Sequence, residues 1–339
     1  MRYEKYLSLG YDEKGNRIRK HIYADSKDAL RVKEKEAYIE FDKTPNPSDI
    51  KFAKYAQQWF ETYKSARSEA TKEMYQVALR KTSKIDQKRL KDITAMDCQF
   101  IINQYKDSPA SCEKLSLTLR QVFQRAVKDG IIRSNPAEDL TIPKKEKSEE
   151  RVLTPAEKEA IKNADLNPIE RLYVNLLYYF GLRPQEALAL TAEDFDFDNN
   201  ILHIRRAVSY KGNAPYIKPT KTYKPRKMPI PTSFAEYMKY YLKTIPAQNR
   251  AVLVSQDGNL MSKTMKSDLW LRIRAKINGD ESLHPYVFRH NYCCECYYMG
   301  LSILKTSELL GNSPQMILKV YAHLDNSKED LSKLVDFSM

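Results

Sequence analysis

The sequence LLYYFGLRPQEALAL, residues 176–190, places an arginine directly behind a strongly apolar run. The run ends a helix that we predict over residues 167–180. A guanidinium in such surroundings costs free energy unless an anion or a carboxylate meets it. Glu186 can supply that carboxylate, and a single arginine of this kind is more often part of a core ion pair than a catalyst. Arg183 is therefore a candidate that needs support from elsewhere in the chain.

Two later segments carry further candidates for chemistry on a phosphodiester. Such chemistry requires a nucleophile, cations around the non-bridging oxygens and a proton for the leaving oxygen. Arg289 lies between aromatic residues in YVFRH, residues 286–290. Tyr321 lies in a short helix that Ser313 caps and Pro314 opens. Since the chain holds 23 tyrosines, Tyr321 taken by itself is most simply a packing residue.

The charge of the chain favours a polyanionic partner. Lys and Arg number 57 against 44 Asp and Glu in 339 residues, a net charge of +13. A basic balance alone is a weak argument, but residues 199–235 contain no Asp or Glu at all. The basic residues of this segment are Arg205, Arg206, Lys211, Lys218, Lys221, Lys224, Arg226 and Lys227. Because a solvated face usually mixes both signs, we interpret residues 199–235 as facing the phosphates of a nucleic acid.

Composition also limits the class of protein. With 42% hydrophobic residues the chain can form globular cores, and its length favours two or three domains. No apolar run approaches the length of a membrane span, and the first residues lack a signal-peptide core. We therefore expect a soluble, cytoplasmic protein without a membrane partner.

The five cysteines argue against a secreted disulfide protein, because their number is odd and their spacing forms no framework. Cys293, Cys294 and Cys296 follow His290 closely, so a zinc site must be considered. One helical stretch cannot place four ligands tetrahedrally, and the sequence has no second Cys/His cluster to complete the site. We therefore predict thiols packed on a helix and no metal.

Pattern and punctuation divide the chain into three modules, residues 1–43, 51–142 and 151–339. The first has two predicted strands, at residues 3–9 and 17–23, and a helix capped by Ser26. Its basic second strand can lie in a DNA groove, although a short cap on the next domain is an equal alternative. The second module has the apolar stripes of a helical bundle. The third opens at a capping box, TPAE at residues 154–157, and mixes helices with strands near residues 201–204 and 227–230. The predicted fold class is mainly α with small β-sheets (α+β).

The order of these motifs resembles the tyrosine recombinase (phage integrase) family. GLRPQEALAL at residues 181–190 is followed by Lys-Thr in the basic segment, by an Arg-His pair, by LLGN at residues 309–312 and by a tyrosine nine positions later. No single motif decides the assignment, but the ordered set over residues 153–324 is specific. The resemblance implies an arm-type DNA-binding module at residues 1–43 and a helical core-binding domain at residues 51–142. It implies a mixed α/β catalytic domain with a C-terminal exchange helix at residues 151–339.

The resemblance implies a role for each matching residue. Arg183 and Arg289 grip the scissile phosphate, Lys221 protonates the leaving 5′ oxygen, and Tyr321 is the nucleophile that forms a 3′-phosphotyrosine. Lys218 is the alternative to Lys221 if the register is shifted. A phenol with an ordinary pKa of about 10 is a poor nucleophile at neutral pH, so it needs such cations or a base nearby.

Two positions depart from the commonest family pattern. Tyr286 stands three residues before Arg289, where the family usually has histidine. Asn312 stands nine residues before Tyr321, where histidine or tryptophan is common. Neither replacement is an effective general base near neutral pH, but both can donate a hydrogen bond to a phosphate oxygen. We therefore expect weaker acid–base assistance and a slower enzyme, while the two arginines, the lysine acid and the tyrosine nucleophile are retained.

The function implied by the resemblance is site-specific recombination of double-stranded DNA, for integration or excision of a mobile element. It would proceed without ATP, metal or other cofactor, in a homotetramer on DNA, with an accessory DNA-bending or excision factor as an optional partner. The protein would be bacterial or phage-encoded and associated with the nucleoid. A helix predicted at residues 327–337 is too short to be stable alone. We expect it to pack on a neighbouring subunit, with its own subunit as the alternative.

Two other functions stay open. One is a type IB topoisomerase-like nicking and closing activity, against which the separate first module argues. The other is a DNA-binding regulator on a degenerate recombinase scaffold. A pure binding protein does not need Arg183, Lys221, Arg289 and Tyr321 together. A metal-dependent DDE transposase is disfavoured, because the chain offers no convincing carboxylate triad.

Overall fold

The computed structural model describes residues 3–11, 17–43, 50–144, 151–220, 225–245, 251–255 and 257–321. The chain forms two compact units, Met1–Lys147 and Ser148–Met339. None of the helices among the described residues is both long and apolar enough to cross a bilayer. The helix predicted at residues 327–337 lies outside the described residues.

The first unit opens with a hairpin and a helix. The elements are β1 (Tyr3–Tyr11), β2 (Arg17–Ala24) and α1 (Lys27–Lys43). The two strands are antiparallel. Ser26 Oγ accepts the Ala29 N–H at 3.1 Å, which is the predicted helix cap. Alternation along the strands brings Leu7 and Ile22 together with Ala37 of the helix in a small core.

Among the described residues, four α-helices make up most of the rest of the first unit. They are α2 (Phe52–Tyr63), α3 (Glu69–Arg80), α4 (Ala95–Asn103) and α5 (Pro109–Lys128). The apolar stripes seen in the sequence meet in one core, in which Phe52, Trp59, Leu119 and Phe123 are buried. The predicted helical bundle is therefore present.

The second unit begins with three helices, α6 (Pro155–Asn163), α7 (Pro168–Phe180) and α8 (Pro184–Ala187). The predicted capping box starts α6, since Thr154 Oγ1 accepts the Glu157 N–H and the Glu157 carboxylate accepts the Thr154 N–H. The apolar run of α7 lies in the main core, together with Phe234 and Phe288. The core thereby fixes the direction in which the chain leaves α7.

Two small antiparallel sheets follow. The strands are β3 (Phe195–Asp196), β4 (Ile201–Ile204), β5 (Arg206–Lys211), β6 (Ala214–Pro219) and β7 (Arg226–Pro229). One sheet has the order β3-β4-β7 and the other pairs β5 with β6. The acid-free basic segment therefore supplies most of the strands of this unit.

Helices complete the second unit. They are α9 (Thr232–Thr244), α10 (Lys263–Lys276), α11 (Pro285–Tyr298), α12 (Ile303–Leu310) and α13 (Pro314–Tyr321). Cys293, Cys294 and Cys296 are buried on α11, as the packed-thiol prediction requires. The predicted fold class, mainly helical with small antiparallel sheets, is confirmed.

Candidate active site

Arg183 lies at the start of α8, where the chain turns after the apolar run of α7. Its Nη1 donates to Glu186 Oε1 at 2.8 Å, so the ion pair considered from the sequence is present. Its Nη2 donates to the Gly311 carbonyl at 2.9 Å and to Asn312 Oδ1 at 2.7 Å. Arg183 is thus held by its own helix and also by the turn between α12 and α13.

Arg289 reaches the same turn from α11. Its residue is 6% exposed, and Nη1 donates to the Gly181 carbonyl at 2.8 Å. Its Nη2 donates to Asn312 Oδ1 at 3.0 Å and to the carbonyl of Leu310. The structure therefore brings together three of the residues predicted for the site, with the Asn312 oxygen bonded to both arginines.

A third arginine, Arg226 of β7, joins this cluster and was not predicted as a site residue. Its Nη1 and Nη2 donate to Glu186 Oε1 and Oε2 at 3.0 and 2.6 Å. Its Nε donates to the Leu309 carbonyl at 2.7 Å. A signal was available in the sequence, because strand alternation puts Arg226 on the same buried face as Met228.

The cluster formed by Arg183, Arg226, Arg289 and Glu186 carries an excess of positive charge. Burial would raise the pKa of the Glu186 carboxyl, but the hydrogen bonds and charges of the arginines lower it to about 2. Glu186 is therefore ionised at neutral pH and balances one of three guanidiniums. Burial, and then the charge of Arg183, lower the pKa of Arg289. Both effects destabilise its cation, and a bound anion would offset them, so the arginine cluster is suited to receive one.

The other predicted residues lie in more varied positions. Tyr286 is in the first turn of α11, one turn before Arg289, and is 41% exposed. Lys221 lies outside the described residues. Its alternative, Lys218, is partly exposed on β6 opposite Ala207. The structure therefore leaves the identity of the general acid as a prediction.

Tyr321, the last described residue of α13, is buried in a small cluster of its own. Its residue is 4% exposed, and its hydroxyl donates to Thr306 Oγ1 at 2.9 Å. The ring lies 4.8 Å from that of Tyr297 and packs with Ile317. Burial raises the pKa of this phenol, and the Thr306 hydrogen bond only partly opposes the shift. In this conformation the structure does not join Tyr321 to the arginine cluster.

The sequence profile of the phage integrase family matches residues 151–328, and that of the phage integrase N-terminal SAM-like domain matches residues 51–105. The chain belongs to the phage integrase family. The chain is also similar to a tyrosine recombinase XerC-like protein of Caldanaerobacter subterraneus subsp. tengcongensis. It is 27% identical over 95% of this chain and 92% of its own length.

Two solved integrase structures share the fold of the present chain. The Tn1549 transposon integrase, in complex with transposon right end DNA, aligns with a TM-score of 0.72 and 19% identity. That match covers 84% of this chain and 99% of the integrase. A lambda integrase tetramer bound to a Holliday junction aligns with a TM-score of 0.66 and 17% identity, over 91% and 90% of the two chains. The predicted family, fold and enzyme class of tyrosine recombinase are confirmed, while the role of each residue stays a prediction.

Proposed function

We propose that this protein is a site-specific recombinase that cleaves and rejoins DNA through a covalent bond between Tyr321 and a phosphate. The observation that carries the proposal is the arginine cluster. Asn312 Oδ1 lies within hydrogen-bond distance of both Arg183 and Arg289, at 2.7 and 3.0 Å, where a non-bridging phosphate oxygen can replace it. A phosphodiester carries one negative charge and its transition state gains more. The two uncompensated positive charges suit that change.

The chemistry balances without a cofactor. The Tyr321 oxygen bonds to phosphorus and its proton passes to solvent, while the bond from phosphorus to the 5′ oxygen breaks. That oxygen takes a proton from Lys221, which leaves a 3′-phosphotyrosine and a 5′ hydroxyl. Attack by the 5′ hydroxyl of a partner strand reverses the step and returns the phenol. Arg183 and Arg289 stabilise the charge on phosphate in both directions.

Cleavage requires Tyr321 to leave its cluster. Departure from Thr306 costs a hydrogen bond worth about 1 kcal/mol, and exposing the ring costs roughly 2 kcal/mol more. The free energy of DNA binding can offset such a sum, because each bound phosphate contributes favourably. Tyr321 therefore reacts after α13 shifts, either at the arginine cluster of its own subunit or at that of a neighbour.

The remaining modules extend the proposal to DNA binding and assembly. Residues 1–43 are proposed as an arm-type module that contacts DNA through the outer face of β1 and β2. Tyr6 and His21 stack there with ring centroids 4.1 Å apart, beside the exposed Arg19. Residues 51–142 are proposed as the core-binding domain and residues 151–339 as the catalytic domain. Exchange between two duplexes uses four tyrosines, so we propose a homotetramer on DNA that integrates or excises a mobile element.

The proposal is tested with a nicked duplex made from the genomic fragment that the purified protein retains most strongly. We expect wild type to form a denaturant-resistant adduct on it, mapped by mass spectrometry to Tyr321. Tyr321→Phe should lower adduct formation by roughly 10³-fold or more, because the nucleophile is lost. Tyr298→Phe, at a tyrosine that is 70% exposed, is the matched control and should react normally.

The other outcomes identify the alternatives. Tight binding by wild type with no adduct would favour a DNA-binding regulator. An adduct that relaxes supercoils but never exchanges strands would favour a topoisomerase-like activity. Either result would contradict the proposed recombinase activity.

A further inference from the structure

We propose that Arg226 is a positioning residue that keeps Arg183 available to the DNA phosphate by occupying the Glu186 carboxylate. The inference rests on the proposed function of the arginine cluster. It concerns a residue that touches neither the phosphate nor the phenol in that scheme. Arg226 instead connects β7 to the two segments that hold the clamp.

The Glu186 carboxylate is the natural competitor of a phosphate for Arg183. It is 1% exposed, and each of its oxygens accepts two hydrogen bonds. Oε1 binds Arg183 Nη1 and Arg226 Nη1, while Oε2 binds the Arg183 backbone N–H at 3.0 Å and Arg226 Nη2. The Arg226 guanidinium therefore donates to both oxygens of Glu186, whereas the Arg183 guanidinium donates only to Oε1.

Loss of Arg226 would change this distribution. Glu186 would stay buried with one guanidinium partner in place of two, and an uncompensated buried carboxylate is strongly unfavourable. Arg183 is the nearest cation able to make a bidentate pair with it. In that arrangement the Nη2 atom that now binds Asn312 would be drawn to Glu186 and withdrawn from the phosphate position.

Arg226 also supports the turn that carries Asn312. Its Nε donates to the Leu309 carbonyl, and a Cβ atom on Gly311 would lie 3.3 Å from Arg226 Cδ. The turn therefore rests directly on the arginine side chain. Through the turn, Arg226 supports both hydrogen-bond partners of the Arg183 Nη2 atom, and through Glu186 it acts on the Nη1 atom.

The test is a double-variant comparison in the full-length protein, on the same nicked duplex and at saturating DNA. We expect Arg226→Met to slow adduct formation roughly 100-fold, a loss comparable to that of one charge-stabilising donor. Its DNA dissociation constant should stay within about threefold, since affinity is shared among many phosphates. Adding Glu186→Gln removes the competing charge, and the double variant should recover at least about tenfold of the lost rate.

Two further variants test the positioning role of Arg226 if Arg226→Met folds poorly. Arg226→Lys retains the charge without the fork and should lie between wild type and Arg226→Met. Arg272→Met removes an arginine from another buried glutamate of the second unit, Glu170, at 3.4 Å, and should leave the rate unchanged. Melting curves of all variants separate instability from slow chemistry.

The results distinguish the inference from the proposed function. A wild-type adduct together with a double variant no faster than Arg226→Met would overturn the positioning role and leave the recombinase intact. No adduct with wild type, or an equal adduct with Tyr321→Phe, would overturn the proposed function and this inference with it.

Discussion

At the scale of single residues, Asn312 has an unusual position because one amide oxygen accepts from two catalytic candidates. Asn312 Oδ1 binds Arg183 and Arg289. An amide oxygen is a weak, neutral acceptor, so a charged phosphate oxygen can replace it at both guanidiniums. Asn312 therefore holds the two guanidiniums in place without neutralising their positive charge.

A carboxylate at this position should have opposite effects on stability and on activity. Asn312→Asp would pair a negative charge with the buried guanidinium of Arg289 and the partly buried one of Arg183. It should raise the melting temperature, since the arginine cluster has an excess of positive charge. The same charge would compete with the phosphate and slow adduct formation by about 100-fold. Thermal melts and single-turnover cleavage measure the two effects.

Asn163→Asp is the matched control, because it makes the same change at an exposed position of α6. It should leave the cleavage rate unchanged and lower the melting temperature slightly, because it replaces the 2.6 Å hydrogen bond from Asn163 to Glu159 with two neighbouring carboxylates. Cleavage by Asn312→Asp at the wild-type rate would show that Asn312 does not occupy the position of the phosphate.

At the scale of elements, two turns that contain glycine hold Arg183 and Arg289 in place. Gly181 ends α7 and Gly311 ends α12, both with left-handed backbone, at φ +54° and +62°. The Gly181 carbonyl accepts from Arg289, and the Gly311 carbonyl accepts from Arg183. Each turn therefore supplies a hydrogen-bond acceptor to an arginine from another segment. The arginine in return gives a partner to a carbonyl that the end of a helix would leave unpaired.

The same region holds Tyr321, through the hydroxyl of Thr306 on α12. Thr306→Val preserves the shape of this side chain and removes the acceptor of the phenol. The buried conformation should lose about 1 kcal/mol, which shifts the population toward released Tyr321 by roughly fivefold. If release precedes cleavage, adduct formation should accelerate by a similar factor in single-turnover assays.

Thr306→Ser keeps the hydroxyl and is the control for this experiment. It should cleave at the wild-type rate or slightly below it. A Thr306→Val variant that is slower than Thr306→Ser would mean that the hydrogen bond serves the reactive conformation and not the buried one.

At the scale of the whole molecule, the chain separates into two compact units at Lys147 and Ser148. The arginine cluster, the core beneath it and the Tyr321 cluster all belong to the second unit. The net charge of the whole chain, +13, far exceeds the two uncompensated positive charges of the arginine cluster. The excess is suited to binding DNA along its backbone, at many phosphates besides the one that reacts.

A fragment of residues 148–339 should therefore fold by itself, since it contains its own core. We expect cooperative thermal unfolding by circular dichroism. Affinity for the retained genomic duplex should fall at least about tenfold, because the phosphate contacts proposed for the first unit would be lost. A fragment that is unfolded, or that binds as tightly as the full chain, would contradict the separation of structure and DNA contacts between the units.

Much of the fold could be predicted from local patterns. The TPAE capping box, the Ser26 cap and the apolar stripe of α7 depend on residues a few positions apart, so short windows of sequence contain the information. The family could be predicted because the order of motifs survives in the chain. Arg183, Arg289 and Asn312 were identified in this way, and the structure brings them together.

What the sequence alone determined is thus which segments form elements, which family they compose and which residues are candidates for catalysis. Only the tertiary structure decided that Arg226 joins the cluster and that Tyr321 lies buried against Thr306. The contact of Arg226 with Glu186 spans 40 positions and that of Arg183 with Asn312 spans 129. Contacts at such separations depend on how the core packs as a whole, and no local pattern of residue types encodes them.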